Sequence, residues 1–307
     1  MPPSNAKQAL VPVGGTVFTN ANGTAPGLGL EKDGKCVVML PGPPYELEPM
    51  FLNEVRPFLM KYSDSIIVSH TVRTMNIGES AMAELVSDLL ETENPTVAPY
   101  AKRGEAMLRV TAKAPTQEIA ELLCTPVLAE IRRRLGSYVY AEDSDSIEQT
   151  LVKMLGESGK KIACAESITG GSIAKRITDI SGSSSVFEYG IVTYSNDAKQ
   201  KLLGVSAETL SEYGAVSSQT AAEMAKGVAE VSGADIGISA TGIAGPLGDG
   251  VCQTAGLAFI GLYADGITWV DKVETGKNDR EYNRHVTASR ALNLARLYLE
   301  EFSQQEI

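Results

Sequence analysis

From Ser146 onward, strand-like apolar runs alternate with helical segments, and this alternation constrains the fold more than any other feature of the chain. The patterns predict strands at 161–165, 189–194, 236–240, 257–263 and 268–273, and helices at 172–180, 197–203, 218–231 and 279–302. A further helix begins after Ser146, which with Gln149 fits a capping box. Strands and helices in this order predict an open α/β sheet covered by helices on both faces.

The chain before Ser146 contains enough residues for one or two further domains, since 307 residues exceed an ordinary single core. Residues 69–135 predict a strand, a helix, a strand and a second helix, which form a small α+β unit. The first sixty or so residues are rich in Gly and Pro and predict short strands joined by tight turns. These strands are too few for a core of their own, so we expect part of this front domain to be missing.

Composition narrows the possible function classes. The formal net charge of -11 disfavours a general nucleic-acid binder, because neutralising phosphates requires a basic surface. We expect a cytoplasmic protein, since no apolar run is long enough to cross a membrane and no secretory leader pattern opens the chain. The four cysteines are far apart, which favours free thiols over a metal site or a disulfide framework.

Two glycine-rich turns, at 165–171 and 241–246, each follow a predicted strand. Backbone N–H groups are exposed at such turns, and α/β sheets collect ligands there. Neither turn matches a dinucleotide or Walker phosphate pattern, so each is also compatible with a plain tight turn.

A loop of small hydroxyl residues lies between these turns and contains Ser184. Tyr194 follows at a strand end, and Lys199 lies in the first turn of a helix that we expect Asn196 to cap. The positive end of the helix dipole lowers the pKa of such a lysine, which suits a general base. A serine with this partner can form an acyl-enzyme without histidine. Taken alone, the residues fit an exposed loop and a solvated helix face at least as well.

Arg280 and Arg284 lie one turn apart on the final predicted helix, for which Asn278 is the expected cap. Such a pair suits a phosphate group, because each guanidinium can donate two hydrogen bonds. Ion pairing with Asp279 or Glu281 is the other explanation that the residues allow.

These residues resemble the competence/damage-inducible protein A (CinA) family. The similarity of the C-terminal half rests on five motifs in order: A-E-S-x-T-G-G at 165–171, D-I-S-G-S-S at 179–184, G-I-V-T-Y-S-N-D-A-K at 190–199, G-A-V-S at 214–217 and T-G-I-A-G-P at 241–246. Residues 5–10, 22–27 and 40–44 are similar to the family's molybdopterin-binding-like domain, and residues 78–80 and 108–110 to its KH-like domain. The resemblance implies domains at 1–66, 67–143 and 144–307, the last with a three-layer α/β/α fold.

The resemblance implies hydrolysis of the carboxamide of nicotinamide mononucleotide, a small-molecule nucleotide, to nicotinate mononucleotide and ammonia. It implies Ser184 as the nucleophile, with Ser167 as the alternative, and Lys199 and Tyr194 as proton-handling partners. The implied substrate-binding residues are Ser167, Thr169, Gly170, Gly171, Thr241, Gly242, Gly245, Arg280 and Arg284. No cofactor is implied for this reaction. One departure is that the family's Lys-Pro-Val-Gly stretch after Pro246 is absent, which could alter substrate affinity.

Two other functions stay open at this point. An ADP-ribose pyrophosphatase would use a divalent metal and an intact front domain, which the truncation disfavours. A non-catalytic partner in DNA uptake or damage response would leave the serine and lysine without a chemical role. A homo-oligomer is also possible, because an incomplete front domain would expose apolar surface.

Overall fold

The computed structural model describes residues 7–8, 10–143, 146–246 and 254–305, without the side chains of residues 302–305. Contacts divide the chain into two units, residues 1–67 with 113–119 and residues 68–112 with 120–307. Most of the middle α+β part and the whole C-terminal sheet therefore belong to the second unit. The three domain boundaries remain predictions, and residues 5, 6 and 9 of the first front motif lie outside the described residues.

The first unit contains a small antiparallel sheet and a helical run. Its strands, in sheet order, are β1 (Thr16–Phe18), β2 (Gly27–Lys32) and β3 (Lys35–Met39). The run consists of α1 (Pro44–Met50), a π-helical turn (Phe51–Val55) and α2 (Arg56–Met60). The prediction of strands and turns alone was wrong for this run. Pro44 begins the helix, where its fixed φ is compatible with helical geometry, and Met50 and Val55 bury their side chains against Phe18.

The middle α+β part is built on one four-stranded sheet. Its strands are β4 (Ile66–Thr74), β5 (Thr96–Lys102), β6 (Glu105–Ala114) and β7 (Val139–Glu142), in the sheet order β5-β6-β4-β7. Its helices are α3 (Glu79–Leu85), followed by a 3-10 turn (Ser87–Glu91), and α4 (Gln117–Leu135). The two predicted strands and the two predicted helices are confirmed. The edge strands β5 and β7 were missed, because β5 contains Pro99 and β7 has only four residues.

The C-terminal half is a five-stranded mixed sheet. Its strands are β8 (Ile162–Glu166), β9 (Phe187–Val192), β10 (Ile236–Gly242), β11 (Leu257–Ala264) and β12 (Ile267–Glu274), in the sheet order β12-β11-β10-β8-β9. The strands β9, β8 and β10 are parallel, whereas β11 and β12 are each antiparallel to their neighbours. Every residue of β8 is buried, as expected for a strand covered on both faces.

Helices cover both faces of this sheet, which confirms the predicted α/β fold class. They are α5 (Ile147–Ser158), α6 (Ser172–Thr178), α7 (Asn196–Leu203), α8 (Ala207–Glu212), α9 (Ser218–Ser232) and α10 (Arg280–Gln305). Helices α5, α6 and α10 pack with Ile162 and Cys164 of β8 on one face, and α7 and α9 pack with Ala163 and Ala165 on the other. The capping box at Ser146 is also confirmed. The six-residue helix α8 was not predicted.

Two further predictions concern membrane-spanning segments and the state of the cysteines. No described helix has both the length and the apolar character that crossing a membrane requires. Cys36, Cys124 and Cys164 are free thiols, as predicted, and Cys252 lies outside the described residues.

A histidine in the middle part is held between two carboxylates. The Nε2 atom of His70 lies 2.8 Å from Glu121 Oε2, and its Nδ1 atom lies 3.2 Å from both carboxylate oxygens of Asp143. Partial burial disfavours the charged ring, but the hydrogen bonds to Glu121 and Asp143 outweigh this effect and raise the pKa of His70.

We expect His70→Gln to lower the free energy of unfolding by about 1 kcal/mol near pH 5.5 and by much less near pH 9. The charged ring contributes fully below its ordinary pKa of about 6.5, and the contribution disappears as the pH rises through the raised pKa of the folded state. Urea unfolding of both proteins at the two pH values measures the difference. An equal loss of stability at both would contradict this account.

Candidate active site

The carboxyl ends of three parallel strands meet at one edge of the C-terminal sheet, which we call the carboxyl edge. In the sheet, the last residues of β8 pair with residues near the ends of β9 and β10. Ser167 directly follows β8, Tyr194 lies two residues after β9, and Thr241 lies at the end of β10. Open α/β sheets bind ligands at this edge. Three of the residues singled out in the sequence are therefore neighbours in the fold.

Lys199 of α7 lies at the carboxyl edge with its amine removed from water. The residue is 1% exposed, and its Nζ atom lies 2.8 Å from the carbonyl oxygen of Thr193 and 3.2 Å from Ser167 Oγ. Burial disfavours the ammonium form and lowers the pKa of Lys199. The sequence predicted a lowered pKa from the helix dipole, whereas the structure gives burial as the cause.

The helix that carries Lys199 is capped one residue earlier than predicted. Ser195 is the cap, because its hydroxyl accepts a hydrogen bond of 3.1 Å from the Ala198 N–H, and Asn196 is already the first helical residue. The preceding residue, Tyr194, is 65% exposed. Its phenol ring is therefore accessible to a ligand at the carboxyl edge.

Ser184 lies at the opposite edge of the sheet. It is exposed in a 3-10 turn before β9, and the Val186 carbonyl that follows accepts a hydrogen bond from Ile162 at the start of β8. The length of β8 separates this turn from Ser167, a span of about 15 Å at roughly 3.3 Å per residue. The predicted pairing of Ser184 with Lys199 is therefore not formed. Ser167, the alternative, is the serine that contacts the amine.

A buried carboxylate fixes the turn that presents Ser167. Glu166 is inaccessible to solvent and accepts hydrogen bonds of 2.9, 3.0 and 2.8 Å from the backbone N–H groups of Gly171, Ile173 and Ala174. These groups open α6, so the carboxylate satisfies donors that a helix start leaves unpaired and is favoured by the helix dipole. Sequence reasoning missed this role. The available signal was a charged residue at the end of an apolar strand.

The turn after Ser167 has a backbone shape that favours glycine. Gly170 and Gly171 have φ values of +57° and +93°, in the region that other residues rarely adopt. The Thr169 carbonyl accepts a hydrogen bond of 2.8 Å from Arg284, and the buried Thr169 hydroxyl has no hydrogen-bond partner within the described part of the chain. These predicted binding residues thus shape the turn, and their contact with a substrate remains a prediction.

The end of β10 forms another wall of the carboxyl edge. The Thr241 hydroxyl donates a hydrogen bond of 2.6 Å to the carbonyl of Ala215. A Cβ atom at Gly242 would lie 2.6 Å from the side chain of Ala258, so no larger residue fits there without displacement. Thr241 and Gly242 therefore fix the course of this loop, and substrate binding by either one remains a prediction.

The first turns of α10 hold the same loop in place. Buried Asn283 donates a hydrogen bond of 2.8 Å to the Ala244 carbonyl. Arg280 donates hydrogen bonds of 3.2 Å to the Gly245 carbonyl and to the Tyr194 hydroxyl. Arg280 therefore spans the mouth of the site, between the ends of β9 and β10.

These groups surround a cavity of about 230 Å³. Its lining residues are Ser167, Ile168, Tyr194, Lys199, Ala215, Val216, Thr241, Gly242, Ala244 and Arg280. Gly170, Gly171 and Arg284 line a separate cavity of about 340 Å³. The smaller cavity is the candidate active site, because it combines a serine hydroxyl with an amine of lowered pKa.

Two further sequence predictions bear on this site. The departure from the family pattern after Pro246 falls mainly on residues 247–253, which lie outside the described residues. Over residues 7–8, 10–143, 146–246 and 254–305, no group of three or more His, Cys, Asp and Glu residues is arranged to hold a metal ion.

Most of the chain is similar to known proteins. The family model of the CinA C-terminal domain matches residues 144–299, and that of the KH domain of damage-inducible protein CinA matches residues 69–141. A CinA-like protein of Kosmotoga olearia is 46% identical over 293 residues, covering 95% of this chain and 71% of that protein. A protein of Clostridium novyi named as competence-damage inducible is 49% identical over 294 residues, with 95% and 71% covered.

A solved structure also matches the chain. The competence/damage inducible protein of Agrobacterium tumefaciens is 38% identical, with 50% of this chain and 93% of that chain covered, at a TM-score of 0.48.

We expect Glu166→Gln to lower the free energy of unfolding by about 2 to 4 kcal/mol, because an amide NH₂ would face backbone N–H groups that now donate to a carboxylate. Glu157→Gln, on the exposed side of α5, is the matched control and should change stability by less than about 0.5 kcal/mol. Denaturant unfolding followed by circular dichroism measures both. Equal stabilities of the two variants would contradict the role given to Glu166.

Proposed function

The chain belongs to the CinA family, and we propose that its C-terminal half hydrolyses the carboxamide of nicotinamide mononucleotide to nicotinate mononucleotide and ammonia. The family resemblance supplies the substrate. The contact of 3.2 Å between Ser167 Oγ and the buried Nζ atom of Lys199 supports the reaction type. A serine hydroxyl beside a neutral amine can attack an amide without a histidine.

Acylation begins with the attack of Ser167 Oγ on the carboxamide carbon. Lys199 Nζ accepts the hydroxyl proton as the new C–O bond forms, and the carbonyl oxygen takes the electron pair to give a tetrahedral intermediate. The proton then passes to the amide nitrogen, the C–N bond breaks, and ammonia leaves. An ester on Ser167 remains, and Lys199 is again neutral.

Deacylation repeats the sequence with water. Lys199 removes a proton from a water molecule that attacks the ester carbon, and Ser167 recovers its proton as the C–O bond to the enzyme breaks. The carboxylic acid formed loses its proton to solvent, and nicotinate mononucleotide leaves as the carboxylate. The Thr193 carbonyl lies 2.8 Å from Nζ and accepts a hydrogen bond from the amine in both its neutral and its charged form. This hydrogen bond keeps the amine oriented through both steps.

In this proposal the pyridine ring and the phosphate of the substrate contact different residues of the cavity. Ile168, Ala215, Val216 and Ala244 give an apolar wall for the pyridine ring. Arg280, at the mouth, is exposed and can turn from its weak contacts toward the phosphate. The carboxamide would then face Ser167 at the inner end.

Tyr194 fits a proton-donating role in this scheme. Its hydroxyl oxygen accepts a hydrogen bond of 3.2 Å from Arg280, which leaves the phenol proton free to donate. The exposed ring can also cover the bound nucleotide. Tyr194 would therefore stabilise the developing negative charge, while Lys199 transfers the protons.

We expect Ser167→Ala and Lys199→Met each to lower kcat for ammonia release by about 10³-fold or more, because each removes one partner of the reacting pair. Ser184→Ala is the matched control, a serine at the opposite edge of the same sheet, and should stay within about two-fold of the unmutated protein. Ammonia release from nicotinamide mononucleotide measures all three. Retained activity in Ser167→Ala would overturn the assignment of the nucleophile, and no activity in the unmutated protein would overturn the proposed function.

The lowered pKa of Lys199 predicts the pH dependence of the reaction. The neutral amine is the active form, so kcat/KM should rise with pH and level off above a pKa that lies below the ordinary value of 10.5. Measurements above about pH 8 keep the substrate phosphate almost fully ionised. Tyr194→Phe should lower the plateau and keep the rising limb. A rate that falls as the pH rises through this range would contradict a base role for Lys199.

A further inference from the structure

The hairpin that joins β5 and β6 in the middle part contacts the first turn of α10. Arg103, in the tip of this hairpin, lies 2.6 Å from Glu281 Oε1 and 3.6 Å from Asp279 Oδ2. Asp279 is also the true cap of α10, in place of the predicted Asn278, because its Oδ1 atom accepts a hydrogen bond of 3.0 Å from the Tyr282 N–H. One arginine of the middle part thus pairs with both acidic residues of this turn.

The hairpin tip fits closely against the helix. Gly104 has a φ of +77°, and a Cβ atom there would lie 3.1 Å from Val286 on α10. Further along, fully buried Arg296 of α10 donates hydrogen bonds to the carbonyls of Ser137 (2.8 Å) and Val139 (3.2 Å) in the middle part. The middle part therefore contacts α10 at two places, and one of them is the hairpin tip that carries Arg103.

The turn that Arg103 contacts also carries the cation of the active site. Arg280 lies between Asp279 and Glu281 in the sequence, and in the described structure its hydrogen bonds go to Gly245 and Tyr194 rather than to either acid. The ion pairs that the sequence suggested for Arg280 are formed by Arg103 instead. Without Arg103, the carboxylates of Asp279 and Glu281 would lose this ion-pair partner, attract the neighbouring Arg280 away from the cavity and repel an anion.

We infer that Arg103 is a positioning residue through which the middle part sets the preference of the active site for a phosphorylated substrate. This inference rests on the proposed function. Arg103 pairs with Asp279 and Glu281 and offsets part of their negative charge, so Arg280 stays at the mouth and its charge remains available to a phosphate. The effect is electrostatic, and it therefore depends on the charge of the ligand and on the salt concentration.

The test compares nicotinamide mononucleotide with its dephosphorylated nucleoside, using KM from ammonia release and Kd from calorimetry. Arg103→Ala should raise KM and Kd for the nucleotide about three- to ten-fold at low salt and leave kcat within about two-fold. The nucleoside, whose ring is cationic, should bind no more weakly than before. Arg103→Lys should restore most of the affinity, and about 0.5 M salt should reduce the difference.

Lys102→Ala is the matched control, because Lys102 is an exposed cation of the same hairpin that forms no ion pair with α10 within the described residues. Equal weakening of both ligands, or no weakening of the nucleotide, would overturn the inference. So would an equal effect of Lys102→Ala. If the unmutated protein binds the nucleotide but releases no ammonia, the proposed function fails, and the Kd comparison still decides the role of Arg103.

Discussion

The amine of Lys199 is kept out of water, and the arrangement of the active site follows from that constraint. A charged ammonium in this position loses its hydration without gaining a carboxylate partner in the described structure, and this burial lowers the pKa of Lys199. The amine still needs hydrogen bonds, and it donates them to the Thr193 carbonyl and the Ser167 hydroxyl. The same burial that costs stability places an amine of lowered pKa next to the proposed nucleophile.

Three parts of the chain arrange the groups around this amine. The sheet supplies three parallel strand ends at one edge, and Glu166 holds the turn after β8 through three backbone N–H groups. The first turns of α10 hold the loop after β10 and place Arg280 at the mouth. The contact of Arg103 with α10 extends this arrangement to the middle part, so the site depends on more than the domain that contains its serine.

The spacing of apolar residues was sufficient to predict the alternating strands and helices, because each element buries its apolar residues at regular intervals. It failed where tertiary contacts override local signals, as in the proline-containing helical run after Pro44 and the short edge strands β5 and β7. Lys199 was singled out from its position at a helix start, whereas Tyr194 was chosen mainly because it matches a motif of the family. Ser184 was preferred over Ser167 because it matches a motif position of the family. The topology carried the missing information: Ser184 precedes β9, whereas Ser167 follows β8, and only the carboxyl ends of parallel strands share an edge with Lys199.

Covalent trapping tests the central claim most directly, namely that Ser167 is acylated during amide hydrolysis. The protein is mixed with nicotinamide mononucleotide, quenched in acid within milliseconds to seconds, digested and analysed by mass spectrometry. The account predicts an ester of the nicotinate nucleotide on the peptide that contains Ser167, and no ester when Lys199 is replaced by Met. An ester on the peptide that contains Ser184, or steady ammonia release without any ester on Ser167, would contradict it.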